Sequence, residues 1–204
     1  DSTTAYPSGH VMTLGASIRP IDQFYATFGG ANAYGTSTTS DLSELDEGKF
    51  FTFGEAGFTP TIPDLGWGRY AVLVWHMDDR PNLSLPSDYG FTVIAEQDFG
   101  KRMLVFARYG WADTGDLTGI KQSAQIGMGY RGLFGDPLNM TGAAFGVSDP
   151  AASNLDPESV FEVFQRFQLT SHTQFSVGFQ AIFEPSRSDD DFNGVFTFRF
   201  RLAF

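Results

Sequence analysis

The chain has 204 residues, with 13 Lys+Arg against 24 Asp+Glu and a formal charge of −11, so it lacks the basic footprint that nucleic-acid binding requires. It contains no cysteine, which excludes a disulfide scaffold, a thiolate metal site and a cysteine nucleophile. With a mean hydropathy of −0.14 and no unbroken apolar run of about 18 residues, no helical membrane span is expected. No charged-then-apolar leader opens the chain at Asp1, so a signal peptide is expected to have been removed or to lie outside this segment.

Residues 1–8 read as a short polar extension, and 9–204 as strands of a single β domain. Segments of period-two alternation, separated by turn chemistry, predict strands near 10–19, 22–32, 49–59, 66–77, 89–98, 101–112, 119–130, 137–147, 158–170, 173–184 and 194–204. The connections alternate in character. Arg19–Asp22, Pro60–Leu65, Phe99–Lys101, Leu133–Pro137 and Thr170–Thr173 are short; 33–48, 78–88, 113–118, 148–157 and 185–193 are longer and polar.

Several strands separate apolar from polar faces, because side chains alternate along a strand. Met103, Val105, Ala107, Tyr109 and Trp111 share one face of the sixth, leaving Arg108 opposite with Leu104 and Phe106. The seventh sets Ala124, Ile126, Met128 and Tyr130 against Lys121, Ser123 and Gln125. Segment 137–147 has no clean period. In 158–170, Phe161, Val163, Phe167 and Leu169 oppose Glu162, Phe164, Arg166 and Gln168, with Gln165 a blemish on the apolar side. In 173–184, Phe175, Val177, Phe179, Ala181 and Phe183 oppose Gln174, Ser176, Gly178, Gln180 and Glu184, with Ile182 the exception. The last segment sets Phe196, Phe198, Phe200, Leu202 and Phe204 against Thr197, Arg199, Arg201 and Ala203.

A wholly apolar face opposite a cationic one is the alternation of an antiparallel transmembrane β-barrel, with lipid outside and a wet lumen inside. A charge on the lipid face at the bilayer midplane costs about 2–4 kcal/mol, which places Arg108, Glu162, Arg166, Arg199 and Arg201 inward. The short connections then read as periplasmic turns and the long ones as extracellular loops, with the C-terminus periplasmic. Most acids fall in or beside the long loops: Asp41, Glu44, Asp46, Glu47, Asp78, Asp79, Asp88, Asp113, Asp116, Asp149, Asp156, Glu158 and Asp189 to Asp191. They serve solubility, or a divalent-cation bridge to an anionic outer leaflet. The strand count of eleven is odd, whereas bacterial single-chain barrels are even, so either one strand is miscounted or further strands complete a larger barrel.

No HExxH, GxSxG or phosphate-cradling loop is present, and the three histidines, His10, His76 and His172, form no motif, so neither an enzyme nor a cofactor is expected. His10 and His76 would share the extracellular rim. Porin and plugged structural barrel both fit the pattern, and the residues leave monomer and trimer open.

The segments Ile21–Asn32, Gly68–Asp78, Phe106–Asp113, Val160–Thr170 and Phe196–Phe204, in this order, resemble the C-terminal half of the carbohydrate-selective porins, the OprB-type family of bacterial outer-membrane proteins. The resemblance covers the chain from about residue 10 to its end, and nothing matches the family's N-terminal half. It implies about sixteen strands in the complete barrel. It also implies passive diffusion of small, mainly neutral solutes with sugars favoured, outer-membrane lipid as surroundings, and further strands from an N-terminal half or another chain. Trp75, Phe106 and Phe164 would then meet the apolar faces of sugar rings, with Trp75 equally readable as a girdle or core aromatic. Arg108, Glu162, Arg166, Gln180, Arg199 and Arg201 would meet hydroxyls, or brace the wall.

Overall fold

The computed structural model describes residues 13–33, 48–81, 84–116, 119–186, 188 and 190–203. Asp1, His10, Asp41, Glu44, Asp46, Glu47, Asp189, Phe204 and the extension at 1–8 lie outside them.

The strands are β1 (Thr13–Ile21), β2 (Phe24–Asn32), β3 (Phe50–Phe58), β4 (Thr61–Ile62), β5 (Gly66–Met77), β6 (Asp88–Phe99), β7 (Met103–Ala112), β8 (Ile120–Arg131), β9 (Met140–Pro150), β10 (Glu158–Thr170), β11 (Thr173–Phe183) and β12 (Phe192–Leu202). All but β4 run in one antiparallel meander in chain order. A dozen residues, as in β5 and β8, suffice to cross a bilayer at a tilt. The fold is thus an all-β antiparallel meander with strands of barrel-wall length, as the alternation predicts.

Two details differ from the sequence reading. The two-residue β4, within the connection at 60–65, folds back on β5 through Thr61↔Trp67 and Ile62↔Gly66. The strand expected at 137–147 occupies Met140–Pro150 instead. Asp136 explains the shift: its carboxylate accepts from Leu138 N at 2.8 Å and its carbonyl from Asn139 N at 2.9 Å, which folds Pro137–Asn139 into a turn.

Direct cross-strand pairs share a face, so the register assigns every strand at once. One row reads Ala107–Ile126–Phe145–Phe161–Ala181 across β7 to β11. The same face carries Phe28 on β2, Val72 and Val74 on β5, and Phe196, Phe198 and Phe200 on β12. Of the large apolar side chains that the described strands leave exposed, all but Trp67 and Val195 fall on this apolar face. Of the charged side chains with a cross-strand partner, all but Asp149, at a strand end, fall on the opposite, polar face.

Amides on the apolar face are satisfied locally by hydroxyls, backbone carbonyls and one carboxylate. Gln97 donates to the carbonyls of Trp67 and Asp98 and accepts from the Tyr70 hydroxyl at 2.7 Å. Gln122 bridges Tyr109 and Asp149 at 3.1 Å each. Gln165 bonds the Thr141 hydroxyl at 2.5 Å and donates to its neighbour's carbonyl. Pairing in this way lowers the cost of an amide on an apolar face.

β1 and β12 are the two edges: β1 pairs with β2 alone and β12 with β11 alone among the described residues. Both are exposed along nearly their whole length, up to 83% for Leu14. Each edge leaves alternate backbone N–H and C=O groups without a strand to bond.

Candidate functional site

The polar face is organised in rows set by register. At mid-height the row runs Glu96–Phe106–Gly127–Ala144–Glu162–Gln180–Val195 across β6 to β12, omitting no strand. Two steps toward the short turns it reads Arg131–Met140–Arg166–Ser176–Arg199, and Arg201 follows opposite Gln174. Arg166 and Arg199 thus sit two strand spacings apart, about 10 Å between Cα atoms.

These two rows differ electrostatically. Arg108 Nη2 donates to Glu96 Oε1 at 3.0 Å, and its guanidinium lies 5.4 Å from the Phe106 ring centre. Gln180 Nε2 donates to Glu162 Oε2 at 2.9 Å. Mid-height charges are therefore held by local partners. Arg166, by contrast, makes only a 3.5 Å contact from Nη2 to the Met140 sulfur, and neither it, Arg199 nor Arg201 has a carboxylate in ion-pair range among the described residues. The band near the short turns is the cationic one.

A second ion pair lies on β2, β3 and β5, outside the residues singled out by sequence. Arg69 Nη2 donates to Glu55 Oε1 at 2.9 Å and Arg69 Nε to the Tyr25 hydroxyl at 3.0 Å, while Tyr25 donates to Glu55. The alternation of 49–59 and 66–77 carried the signal, since Glu55 and Arg69 oppose the apolar positions of their strands.

Aromatic rings on the polar face lie across glycines. Tyr25 pairs with Gly57, Phe53 with Gly29, Trp75 with Gly90, Phe106 with Gly127 and Phe164 with Gly142. A methyl group added at Gly127 would come within 2.6 Å of the Phe106 ring, and one at Gly29 within 2.8 Å of Phe53. Gly57 and Gly142 are covered as closely by Tyr25 and Phe164. Only a missing side chain lets each ring settle onto the neighbouring backbone, flush with the sheet.

The nine residues singled out by sequence all fall on the polar face by register or alternation. Arg108, Glu162 and Phe106 border one open recess of about 370 Å³, floored by Ala144 and Gly146. Gln180 joins Glu162, and Phe164 and Arg166 follow along β10. Arg199 and Arg201 are exposed on β12. Trp75 stands apart, only 3% exposed and packed with Ala31, Ala33, Phe51, Met77 and Ala112 at the loop end of β2, β3, β5 and β7. The segment after β5 reaches this cluster, since Arg80 Nη1 donates to Ala33 O at 3.4 Å. His76 lies on the apolar face with Nδ1 3.7 Å from Asp78, and the described residues hold no acid or histidine cluster able to bind a metal ion.

No family model matches the sequence, and no curated protein matches it significantly. A solved structure of OprB from Pseudomonas putida, determined at high pH, matches 94% of this chain and 58% of that chain with a TM-score of 0.75 at 16% identity. The two chains share the fold. The present chain spans 58% of the length of that solved chain, so the half-length resemblance in the sequence holds at the level of fold.

Proposed function

We propose that the chain forms most of the wall of an outer-membrane channel through which small neutral solutes, sugars foremost, diffuse passively. The separation of faces carries this reading: apolar side chains fill one face of eleven paired strands, and charges gather on the other. Lipid outside and water inside suit that division, since an arginine turned to the midplane would cost about 2–4 kcal/mol. The long loops are then extracellular and the short turns periplasmic. Further strands close the barrel against β1 and β12, because unpaired backbone groups are not tolerated in hydrocarbon.

Arg108, Glu162 and Gln180 offer hydrogen bonds to hydroxyls at mid-height, while Phe106 and Phe164 offer ring faces. Arg166, Arg199 and Arg201 supply a positive potential below them, so weak anion preference is expected. In the completed barrel reconstituted into liposomes, monosaccharides should cause swelling. Changing Arg166, Arg199 and Arg201 together to glutamine should shift the reversal potential toward cations. Neither swelling nor conductance from the intact assembly would defeat the channel.

A barrel with a filled lumen is the second reading. The burial of Trp75, Phe51 and Met77 on the polar face favours it locally, because that part of the wall is covered. Swelling decides between the two.

A further inference from the structure

We propose that a recess at the loop end of β8 to β12 binds neutral, polyhydroxylated ring compounds before they pass the arginines below; this rests on the channel reading above. The recess has a volume of about 660 Å³ and lies among the connections entering β8, leaving β9 and leaving β11. That size falls within the range of about 300–1,000 Å³ typical of small-molecule sites.

Backbone and side-chain bonds tie its walls together. Ala151 N donates to Gly119 O at 3.0 Å, and Ser186 N donates to Glu158 Oε2 at 3.1 Å. Val160, Ile182 and Asn193 form one cross-strand row on the polar face, so Ile182 and Asn193 line the recess from the same side as Glu158. Ile182, the exception on the polar side of β11, has a role here: it gives apolar surface on the same side of the mixed cavity as Glu158.

The chemistry of the lining selects the ligand class. Ile120, Ile182 and Pro185 give apolar surface for the C–H face of a ring. Asp116 and Glu158 accept hydrogen bonds without donating any, and Asn193 does both. No lysine or arginine is among the described lining residues, so an anion finds no counter-charge. A sugar hydroxyl, which donates, is met by acceptors; a phosphate or carboxylate is repelled. The mouth and the cationic band therefore discriminate differently.

Maltose is the probe. Its binding to the assembled protein in detergent would be followed by calorimetry, and conductance would be recorded separately in planar bilayers. The Asp116→Asn, Glu158→Gln double variant should weaken maltose binding about tenfold, as expected when hydrogen bonds to charged acceptors are lost. Ile182→Trp, which fills the recess, should abolish high-occupancy binding. Unchanged maltose affinity in both variants would overturn the site, as would displacement of maltose by calcium ions, which would make the recess a cation site. Absence of any conductance would defeat the channel reading instead, whatever maltose does.

Discussion

Replacing Ile126 with arginine should destabilise the folded barrel in lipid by about 2–4 kcal/mol. Ile126 stands at the middle of β8, in the middle of the sheet, and is 57% exposed on the apolar face. Its row neighbours are Ala107 and Phe145, which offer a guanidinium no acceptor. Near the strand's midpoint, an arginine side chain is also far from either interface. Gln180→Arg is the matched control: it adds the same charge on the polar face beside Glu162 and should change stability by less than about 1 kcal/mol. Urea titration of both variants in lipid vesicles, followed by the heat-dependent shift in gel migration, reads the difference. Equal destabilisation by the two would mean that the faces do not see different solvents.

Gly142→Val should cost about 1–3 kcal/mol, the usual penalty of overpacking. The Phe164 ring lies directly over Gly142, so a branched side chain must lift it off the sheet toward the polar side. Phe164→Ala alone should lose less, because the ring is only partly buried. In the double variant most of the valine penalty should vanish, since its clash has been removed. That non-additivity distinguishes a ring seated on glycine from a general intolerance of β9 to branching. Additive effects in the same urea titration would show that the ring and the glycine are independent.

Legibility in the sequence followed the phenylalanines. In β10, β11 and β12, bulky apolar residues at every second position made both the strand and its faces readable. β9 resisted the same treatment because its contrast is confined to Phe145 and Val147 near its end, while Gly142, Ala143 and Ala144 before them are all small. Its start was obscured by Asp136, whose side chain turns Pro137–Asn139 rather than extending them. The glycine seats under Tyr25, Phe106 and Phe164 depend on register, which alternation within one strand does not specify. Trp75 shows the same limit from another direction. Its place on the polar face is set by register with Phe53 and Gly90, and its burial depends on Ala33 and Phe51, which lie far from it along the chain, and on the cluster that Arg80 reaches. The division between paired mid-height charges and the free arginines near the turns was likewise invisible until β6 met β7 and β10 met β11.

In the proposed channel the polar face meets water within the membrane while the apolar face meets lipid. The chain has no native cysteine, so an introduced thiol is the chain's single reactive sulfur. Phe179 and Gln180 are adjacent on β11 and point to opposite faces, Phe179 in register with Phe196 and Gln180 with Val195. In the assembled protein in planar bilayers, a membrane-impermeant, charged thiol reagent should modify Gln180→Cys rapidly and alter the conductance. Phe179→Cys should remain unmodified under the same treatment. Rapid modification of Phe179→Cys with Gln180→Cys protected would contradict the account, because it would put lipid and water on the wrong faces of the sheet.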